Sequence, residues 1–196
     1  NYVDSVQVTM SEQFGIFGRG RLYDGIGAIR DVVQNHLLQV VALVAMEPPA
    51  TRQTDAALDA KTSVLKAMCP LDAGNVVRGQ FAGYRSEHGV ARDSQVETFV
   101  ALRSFIDNWR WSGVPFCIRA GKCLPVTATE VMVAFKQPPQ AVFTRATPRQ
   151  SNYVRFRVSP NFATSFGVRI KLAGEAMAGE QAELTVTEQV ADEMAP

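Results

Sequence analysis

Cysteine and histidine are scarce in this sequence. The chain has 3 cysteines and 2 histidines among 196 residues. So few thiols do not supply the paired framework of a small secreted domain, and we expect a reducing, cytoplasmic setting. The separation of Cys117 and Cys123 matches no common zinc-ligand spacing, so we expect no metal site.

Long apolar runs and an excess of one charge are also missing. No stretch approaches the roughly 18 apolar residues of a membrane-spanning helix. Lysine plus arginine number 20 and aspartate plus glutamate number 19, so the net charge of +1 creates no general attraction to nucleic acid or to a membrane. The first residues lack the basic head and apolar middle of a signal peptide. We expect a single domain over residues 1–196, cut from a longer protein.

The hydrophobic pattern predicts strands at the beginning of the chain and throughout its second half. Apolar and polar residues alternate over 2–10 and again over 94–108, as they do in half-buried strands. A short strand is predicted at 76–84, and an exposed loop at 86–93. Further strands are predicted at 114–119, 130–136, 153–159, 166–172 and 182–188.

Two helices are predicted in the first half of the chain. Helical spacing of apolar residues runs from about 24 to 46, and the stretch 37–46 is apolar almost all round, which predicts burial. A second helix, capped by Thr54 or Asp55, covers 56–68. Helices early and strands late predict an α+β fold: a large, mostly antiparallel sheet with helices packed on one face.

His36 is the first candidate for a general base, because an imidazole has an ordinary pKa of ~6.5 and exchanges protons at neutral pH. A lone histidine on an apolar helix is more often a hydrogen-bonded core residue, and this alternative stays open. Asp31 lies at the head of the same helix. In a regular α-helix the two side chains point about 140° apart, so they can border a sugar-sized ligand but cannot converge on one small point.

Glu12 and Lys122 each follow a predicted strand. Glu12 precedes a glycine-rich turn, and its plain interpretation is a solvated carboxylate. Lys122 comes directly after a glycine and can reach a polar ligand, although most such lysines are surface residues. Gly25-x-Gly27 resembles the start of a dinucleotide fingerprint. We interpret it as a chance match, because Arg30 replaces the third small residue and no apolar strand precedes it.

Four longer segments keep a recognisable order along the chain. They are Glu-Gln-Phe-Gly-Ile-Phe-Gly-Arg-Gly (12–20), Tyr-Asp-Gly-Ile-Gly-Ala-Ile-Arg-Asp-Val-Val-Gln-Asn-His-Leu-Leu-Gln (23–39), Asn-Trp-Arg-Trp-Ser-Gly-Val-Pro-Phe (108–116) and Ile-Arg-Ala-Gly-Lys (118–122). Together they resemble glucose-6-phosphate dehydrogenase, and the resemblance covers about residues 1–160.

The resemblance implies the substrate-binding domain of that enzyme, which follows a Rossmann domain that holds NADP. It implies that His36 takes the proton from the sugar C1 hydroxyl, that Glu12 and Asp31 hydrogen-bond sugar hydroxyls, and that Lys122 contacts the substrate. The implied reaction oxidises glucose 6-phosphate to 6-phosphoglucono-1,5-lactone, the first step of the pentose phosphate pathway. The resemblance also implies a homo-oligomer, a dimer or tetramer, formed through the sheet.

The sequence departs from the family at identifiable places. The segment Arg-Ile-Asp-His-Tyr-Leu-Gly-Lys, with its phosphate-binding residues and the aspartate that orients the base, is absent, and so is the glycine-rich cofactor loop. Leu124-Pro-Val-Thr-Ala-Thr129 stands where many members have Leu-Asn-Glu-Arg-Lys. Arg119 alone remains of the basic residues that bind a second, structural NADP in some members. We therefore expect this chain by itself to be inactive, and a catalytically inactive sheet domain that serves in oligomerisation stays as the alternative.

Overall fold

The computed structural model describes residues 2–140, 151–174 and 177–187. Within these ranges, eight strands form one sheet. The strands are β1 (Val3–Ser11), β2 (Val76–Gly79), β3 (Phe99–Ser104), β4 (Phe116–Gly121), β5 (Ala128–Phe135), β6 (Tyr153–Ser159), β7 (Ala163–Lys171) and β8 (Gly179–Thr187). Their order across the sheet is β2-β3-β4-β1-β5-β6-β7-β8. Only β1 and β4 among these neighbours run parallel, so the prediction of a mostly antiparallel sheet is confirmed.

The helical part of the described ranges consists of four main segments and two short turns of 3-10 helix. The segments are α1 (Gly20–Ala28), a π-helix (Ile29–Leu37), α2 (Leu38–Ala45) and α3 (Thr54–Ala67), and the turns are Ala73–Asn75 and Tyr84–Ser86. No helix in the described part of the chain combines the length and apolarity that crossing a bilayer requires.

The helix predicted over 24–46 is therefore three consecutive segments. Gly27 has φ +66° and ψ 176°, which lies outside helical geometry and breaks the chain direction there. A single-sequence pattern does not reveal this break, because the apolar spacing continues on both sides of it. The segment ends as predicted, since Met46 is extended and two prolines follow.

The core lies between the helices and one face of the sheet. Directly paired strand residues share a face, and one such row crosses the sheet as Leu102, Ile118, Val8, Val131, Phe156, Thr164 and Val186. The first four of these pack with Leu37, Val41 and Val64 from the helical segments. Burial of these aliphatic side chains stabilises the fold by about 25 cal/mol for each Å² removed from water.

The helices cover only half of this apolar face. On β6–β8 the same face continues without a covering layer among the described residues. It exposes Phe156, Val158, Phe166, Val168, Ile170, Leu184 and Val186. An exposed apolar surface of this extent on one side of a sheet is typical of an interface.

Several details of the sequence-based fold are wrong. The strand predicted at 76–84 ends at Gly79, and a turn of 3-10 helix begins at Tyr84. The second helix begins at Thr54 after Gln53, so neither Thr54 nor Asp55 is its N-cap. The strand predicted at 94–108 begins only at Phe99, because the preceding residues hydrogen-bond to the helical layer: Ala28 donates its N–H to the Glu97 carbonyl at 2.9 Å. The stretch 37–46 is not buried all round, since Leu43 is 55% exposed. α2 packs on the sheet and on α3, and its third side faces solvent.

Candidate functional site

Lys122 and Glu12 form a buried ion pair where two neighbouring strands end. β1 and β4 run parallel and end at Ser11 and Gly121, so the residues that follow them lie side by side. Lys122 Nζ lies 2.5 Å from Glu12 Oε2, and the two side chains are 4% and 15% exposed. The Glu12 N–H donates to the Gly121 carbonyl at 3.0 Å, which fixes the spacing of the two chain segments. The structure thus brings together two residues that are distant in sequence and that the sequence analysis had selected separately.

Two aromatic rings flank the Lys122 ammonium group. Its nitrogen lies 5.3 Å from the centre of the Phe14 ring and 5.5 Å from that of Tyr23. A cation held against aromatic faces is stabilised by their electron density, especially where water is excluded. The pair and the rings make a compact polar site with apolar walls at the end of the sheet.

The Tyr23 hydroxyl is buried and has no hydrogen-bond partner among the described residues. Burial raises the pKa of this hydroxyl, and the negative charge of Asp31 raises it further, followed by smaller contributions that include Glu12 and Glu97. Tyr23 therefore remains protonated and available as a donor.

Asp31 and His36 lie on the π-helix, and this changes the geometry expected for them. A π-helix bonds each residue to the one five positions away, as Leu38 N–H does to the Val33 carbonyl. Residues five apart therefore lie about one turn apart, and the 140° divergence of a regular α-helix does not apply to Asp31 and His36. Short π-helical segments are rare and occur often at functional sites.

His36 is exposed, so the alternative of a buried core histidine is wrong. The same helix is anchored through Val32, Val33 and Leu37, which pack into the core against β1 and β4. Within the part of the chain that the structure describes, no hydrogen bond or ion pair joins His36 to Glu12, Asp31 or Lys122. The imidazole is thus held on a firmly packed helix with its ring open to a ligand.

A second group of polar residues braces α1, which carries Tyr23. The Asp24 carboxylate accepts hydrogen bonds from the Tyr84 hydroxyl at 2.9 Å, from the Ala91 N–H at 3.2 Å and from the Ser94 hydroxyl. Partial burial by itself would raise the pKa of Asp24, but these hydrogen bonds, that of Ser94 foremost, outweigh it and hold the pKa below its ordinary value. The Tyr84 ring meets Tyr23 edge to face, with centroids 6.2 Å apart.

Sequence reasoning did not single out Tyr23 or Glu97. Tyr23 belongs to a conspicuous motif, but nothing in the sequence indicates that its hydroxyl lacks a partner. Glu97 carried a usable signal, because a carboxylate between Val96 and Thr98, at the start of an apolar strand, is costly to bury without a partner. Which partner it finds depends on the tertiary fold.

The Gly25-x-Gly27 turn does not fit the pyrophosphate of a dinucleotide. Gly27, the second glycine of the Gly25-x-Gly27 sequence, lies against the Glu97 carboxylate: a Cβ there would stand 2.6 Å from Glu97 Oε1. A negative charge at that position would repel a phosphate. Nor do the described residues gather three or more His, Cys, Asp or Glu side chains in a group that could hold a metal ion.

Arg119 lies on the sheet face opposite the helices. It lines a cleft of about 460 Å³ together with Arg103. Each guanidinium group hydrogen-bonds a neighbouring side chain, Arg119 to Thr9 at 3.2 Å and Arg103 to Asn75 at 2.8 Å.

Comparison with known proteins gives consistent matches over nearly the whole chain. The family described as "Glucose-6-phosphate dehydrogenase, C-terminal domain" matches residues 1–195. The chain is 49% identical over 162 residues to glucose-6-phosphate 1-dehydrogenase 1 of Mycobacterium tuberculosis, which covers 82% of this chain and 35% of that protein. It is 38% identical over 185 residues to the cytoplasmic isoform from Solanum tuberosum, covering 94% of this chain and 36% of the relative.

Solved structures agree with these sequence matches. The crystal structure of glucose-6-phosphate 1-dehydrogenase from Mycobacterium avium is similar with a TM-score of 0.88 at 43% identity, covering 95% of this chain and 40% of that one. A glucose-6-phosphate dehydrogenase in complex with its substrate glucose-6-phosphate gives a TM-score of 0.87 at 36% identity, with the same coverage. The chain spans only 35–36% of the length of the curated relatives named above.

Proposed function

Because the chain belongs to the glucose-6-phosphate dehydrogenase C-terminal domain family, we propose that it forms the substrate-binding and base-carrying part of such an enzyme. The proposed reaction is the oxidation of glucose 6-phosphate to 6-phosphoglucono-1,5-lactone with NADP, the first step of the pentose phosphate pathway. The observation that carries the proposal is the Lys122–Glu12 pair beside Tyr23 at the ends of β1 and β4, the two strands on which the π-helix of Asp31 and His36 packs. The proposed compartment is the cytoplasm, in line with the scarcity of cysteine.

Each selected residue has a definite role in this proposal. The carboxylates of Glu12 and Asp31 accept hydrogen bonds from sugar hydroxyls, and the Lys122 ammonium group donates to a substrate oxygen. His36 accepts the proton of the C1 hydroxyl while the hydrogen on C1 leaves as hydride, so that the C1–O bond becomes the lactone carbonyl. An imidazole is the side chain that most often serves as such a base.

NADP supplies the hydride acceptor when it is bound. The Gly25-x-Gly27 turn offers no pyrophosphate cradle, so we propose that the cofactor is held mainly by other parts of the enzyme. This chain then contributes the sugar-binding groups and the base. Because the cofactor is held elsewhere in this proposal, we expect the chain by itself to be inactive.

The test is the substitution His36→Asn in the full-length enzyme. A base of this kind contributes about 10²–10⁴-fold to the rate, so kcat should fall by about that factor while the KM for glucose 6-phosphate and the unfolding temperature change little. Steady-state kinetics with glucose 6-phosphate and NADP measures both constants.

The chain offers a matched control, because His88 is also exposed and lies outside the site. His88→Asn should leave kcat and KM unchanged. If His36→Asn were as active as His88→Asn, the proposed base would be wrong and the alternative of an inactive domain would gain support.

We also propose that the protein self-associates through its sheet. The support is the apolar face of β6–β8, which exposes aromatic and aliphatic side chains in register across three strands. A second copy could cover this surface, since apolar sheet faces of this size are typical of obligate interfaces. This association is compatible with the enzymatic role and does not require it.

A further inference from the structure

Glu97 is a buried carboxylate that touches the helix of the candidate site rather than its ligand-facing groups. The residue is 8% exposed. Its Oε1 accepts the Ile29 N–H at 2.9 Å, and its backbone carbonyl accepts the Ala28 N–H at 2.9 Å. These two N–H groups open the helical segment that follows the break at Gly27, and the first N–H groups of a helix have no carbonyl partner within it. The negative charge of the carboxylate also interacts favourably with the positive, N-terminal end of the helix dipole.

The local backbone is shaped to admit this carboxylate. Gly27 adopts φ +66°, and any Cβ on it would overlap Glu97 Oε1 at 2.6 Å and the Val96 side chain at 2.9 Å. A glycine is required on both counts, because an L side chain is disfavoured at this φ and there is no space for one. The Glu97 carboxylate therefore occupies space that only the glycine at the break in the helix leaves open.

Thr98, the residue after Glu97, contacts the part of the site that carries Lys122. The Thr98 carbonyl accepts the Lys122 N–H at 3.0 Å, and its buried hydroxyl accepts the Phe81 N–H at 2.8 Å. Two consecutive residues thus connect the helix of Asp31 and His36 to the strand end that carries Lys122. A shift at Glu97 would move the base relative to the sugar-binding pair.

We propose that Glu97 is a positioning residue for the dehydrogenase reaction: its carboxylate fixes the start of the π-helix and so aims His36 at the substrate held by Lys122 and Glu12. This inference rests on the proposed function, in which His36 is the base. It adds a role for a residue that acts through the backbone of the helix, by accepting the N–H groups of Ala28 and Ile29. A displacement of a reacting group by about 1 Å can cost on the order of 10²-fold in rate.

The test compares Glu97→Ala, Glu97→Gln and His36→Asn in the full-length enzyme, with the double variant of Glu97→Ala and His36→Asn. We expect Glu97→Ala to lower kcat per folded enzyme by about 10- to 100-fold, with a smaller change in KM. Glu97→Gln should recover most of kcat, because its amide oxygen can still accept the Ile29 N–H. In the His36→Asn background, Glu97→Ala should have little further effect, since there is no base left to misplace.

Val64→Ala serves as a stability control, because Val64 is buried in α3 away from the site. It should lower the unfolding temperature and leave kcat per folded enzyme unchanged. If Glu97→Ala behaved in the same way, or lowered kcat equally with and without His36, Glu97 would be structural only and the inference would be overturned. Should Glu97→Ala not fold, full loss of kcat in folded Glu97→Gln would likewise overturn it. Normal activity of His36→Asn would instead refute the proposed function, and with it this inference.

Discussion

The Lys122 ammonium nitrogen lies 5.5 Å from the centre of the Tyr23 ring, whose buried hydroxyl has no hydrogen-bond partner among the described residues. An unpartnered hydroxyl beside a paired lysine is costly to bury, and it is unusual in a packed structure. The cost is understandable if a ligand hydroxyl or a group outside the described residues completes the site.

Tyr23 and Tyr84 make a matched pair for testing this cost. Tyr23→Phe removes a hydroxyl without a partner among the described residues, so the free energy of unfolding should stay the same or rise by about 1 kcal/mol. Tyr84→Phe removes the hydroxyl that donates to Asp24 at 2.9 Å, so the free energy of unfolding should fall by about 1 kcal/mol. Chemical denaturation measures both. A clear loss of stability in Tyr23→Phe would mean that its hydroxyl has a partner in the protein.

Substitutions in the buried pair of Lys122 and Glu12 should affect stability and activity differently. Lys122→Met leaves the Glu12 carboxylate buried and unpaired, which should cost about 3–5 kcal/mol of unfolding free energy. Adding Glu12→Gln removes the unpaired charge, so the double variant should recover much of this loss while kcat/KM stays low. Thermal unfolding and steady-state kinetics distinguish the two effects, and recovery of activity in the double variant would contradict a substrate-binding role for the pair.

Substitution by alanine should have opposite effects on stability at Gly25 and at Gly27. Gly27→Ala forces a Cβ into the Glu97 carboxylate at φ +66°, so it should destabilise the protein by more than about 1 kcal/mol and reduce activity. Gly25 lies in α1, where an added Cβ would meet no atom within 4 Å, so Gly25→Ala should stabilise the protein by up to about 1 kcal/mol. Equal responses in unfolding temperature would contradict the assigned role of Gly27.

The hydrogen bonds of Asp24 predict a specific pH dependence of the protein's stability. Burial by itself would raise its pKa, but the hydrogen bonds from Ser94, Ala91 and Tyr84 outweigh burial and lower the pKa of the folded state from 3.8. A lowered pKa contributes stability that is present above the unfolded value and is lost as the pH falls through the folded value. Asp24→Asn should therefore destabilise the protein at pH 7, and this effect should be lost progressively as the pH falls below 3.8.

Exposed Asp59 on α3 supplies the control for this measurement. Asp59→Asn should change the unfolding temperature little at either pH. A stability difference between the wild type and Asp24→Asn that grew on acidification would have the wrong sign and would reject this account.

The apolar face of β6–β8 predicts a change in oligomeric state. Leu184 and Leu58 are similarly exposed, at 63% and 57%, but Leu184 lies on this face and Leu58 on α3. Leu184→Lys should lower the molar mass of the full-length protein in solution, because it places a charge in the proposed interface, whereas Leu58→Lys should not. Light scattering after size-exclusion chromatography measures this. An unchanged mass in Leu184→Lys would argue against association through this face.

Most strands were predictable because each alternation reflects a local contrast between a buried and an open face. β5 and β6 lie within a few residues of the predicted ranges for this reason. The start of β3 was not predictable, since Glu97 bonds to a helix that is distant in sequence. The π-helix was also missed, because its apolar residues keep a spacing that an α-helix would show as well.

Within the candidate site, the sequence selected Glu12, Asp31, His36 and Lys122 from motifs and residue chemistry. It did not reveal that Glu12 and Lys122 are paired. That pairing follows from the parallel neighbours β1 and β4, whose ends meet only in the folded chain. The role of Glu97 depends in the same way on a positive φ at Gly27, which no side-chain pattern encodes.

The sequence by itself determined the α+β class and the identity of the groups with acid–base chemistry, because these depend on residue type and on spacing along the chain. The tertiary structure alone decided which carboxylate neutralises Lys122, which one holds the π-helix and which half of the apolar sheet face the described helices cover. Those outcomes arise from contacts between segments many residues apart, where burial forces each charge and each N–H group to find a partner.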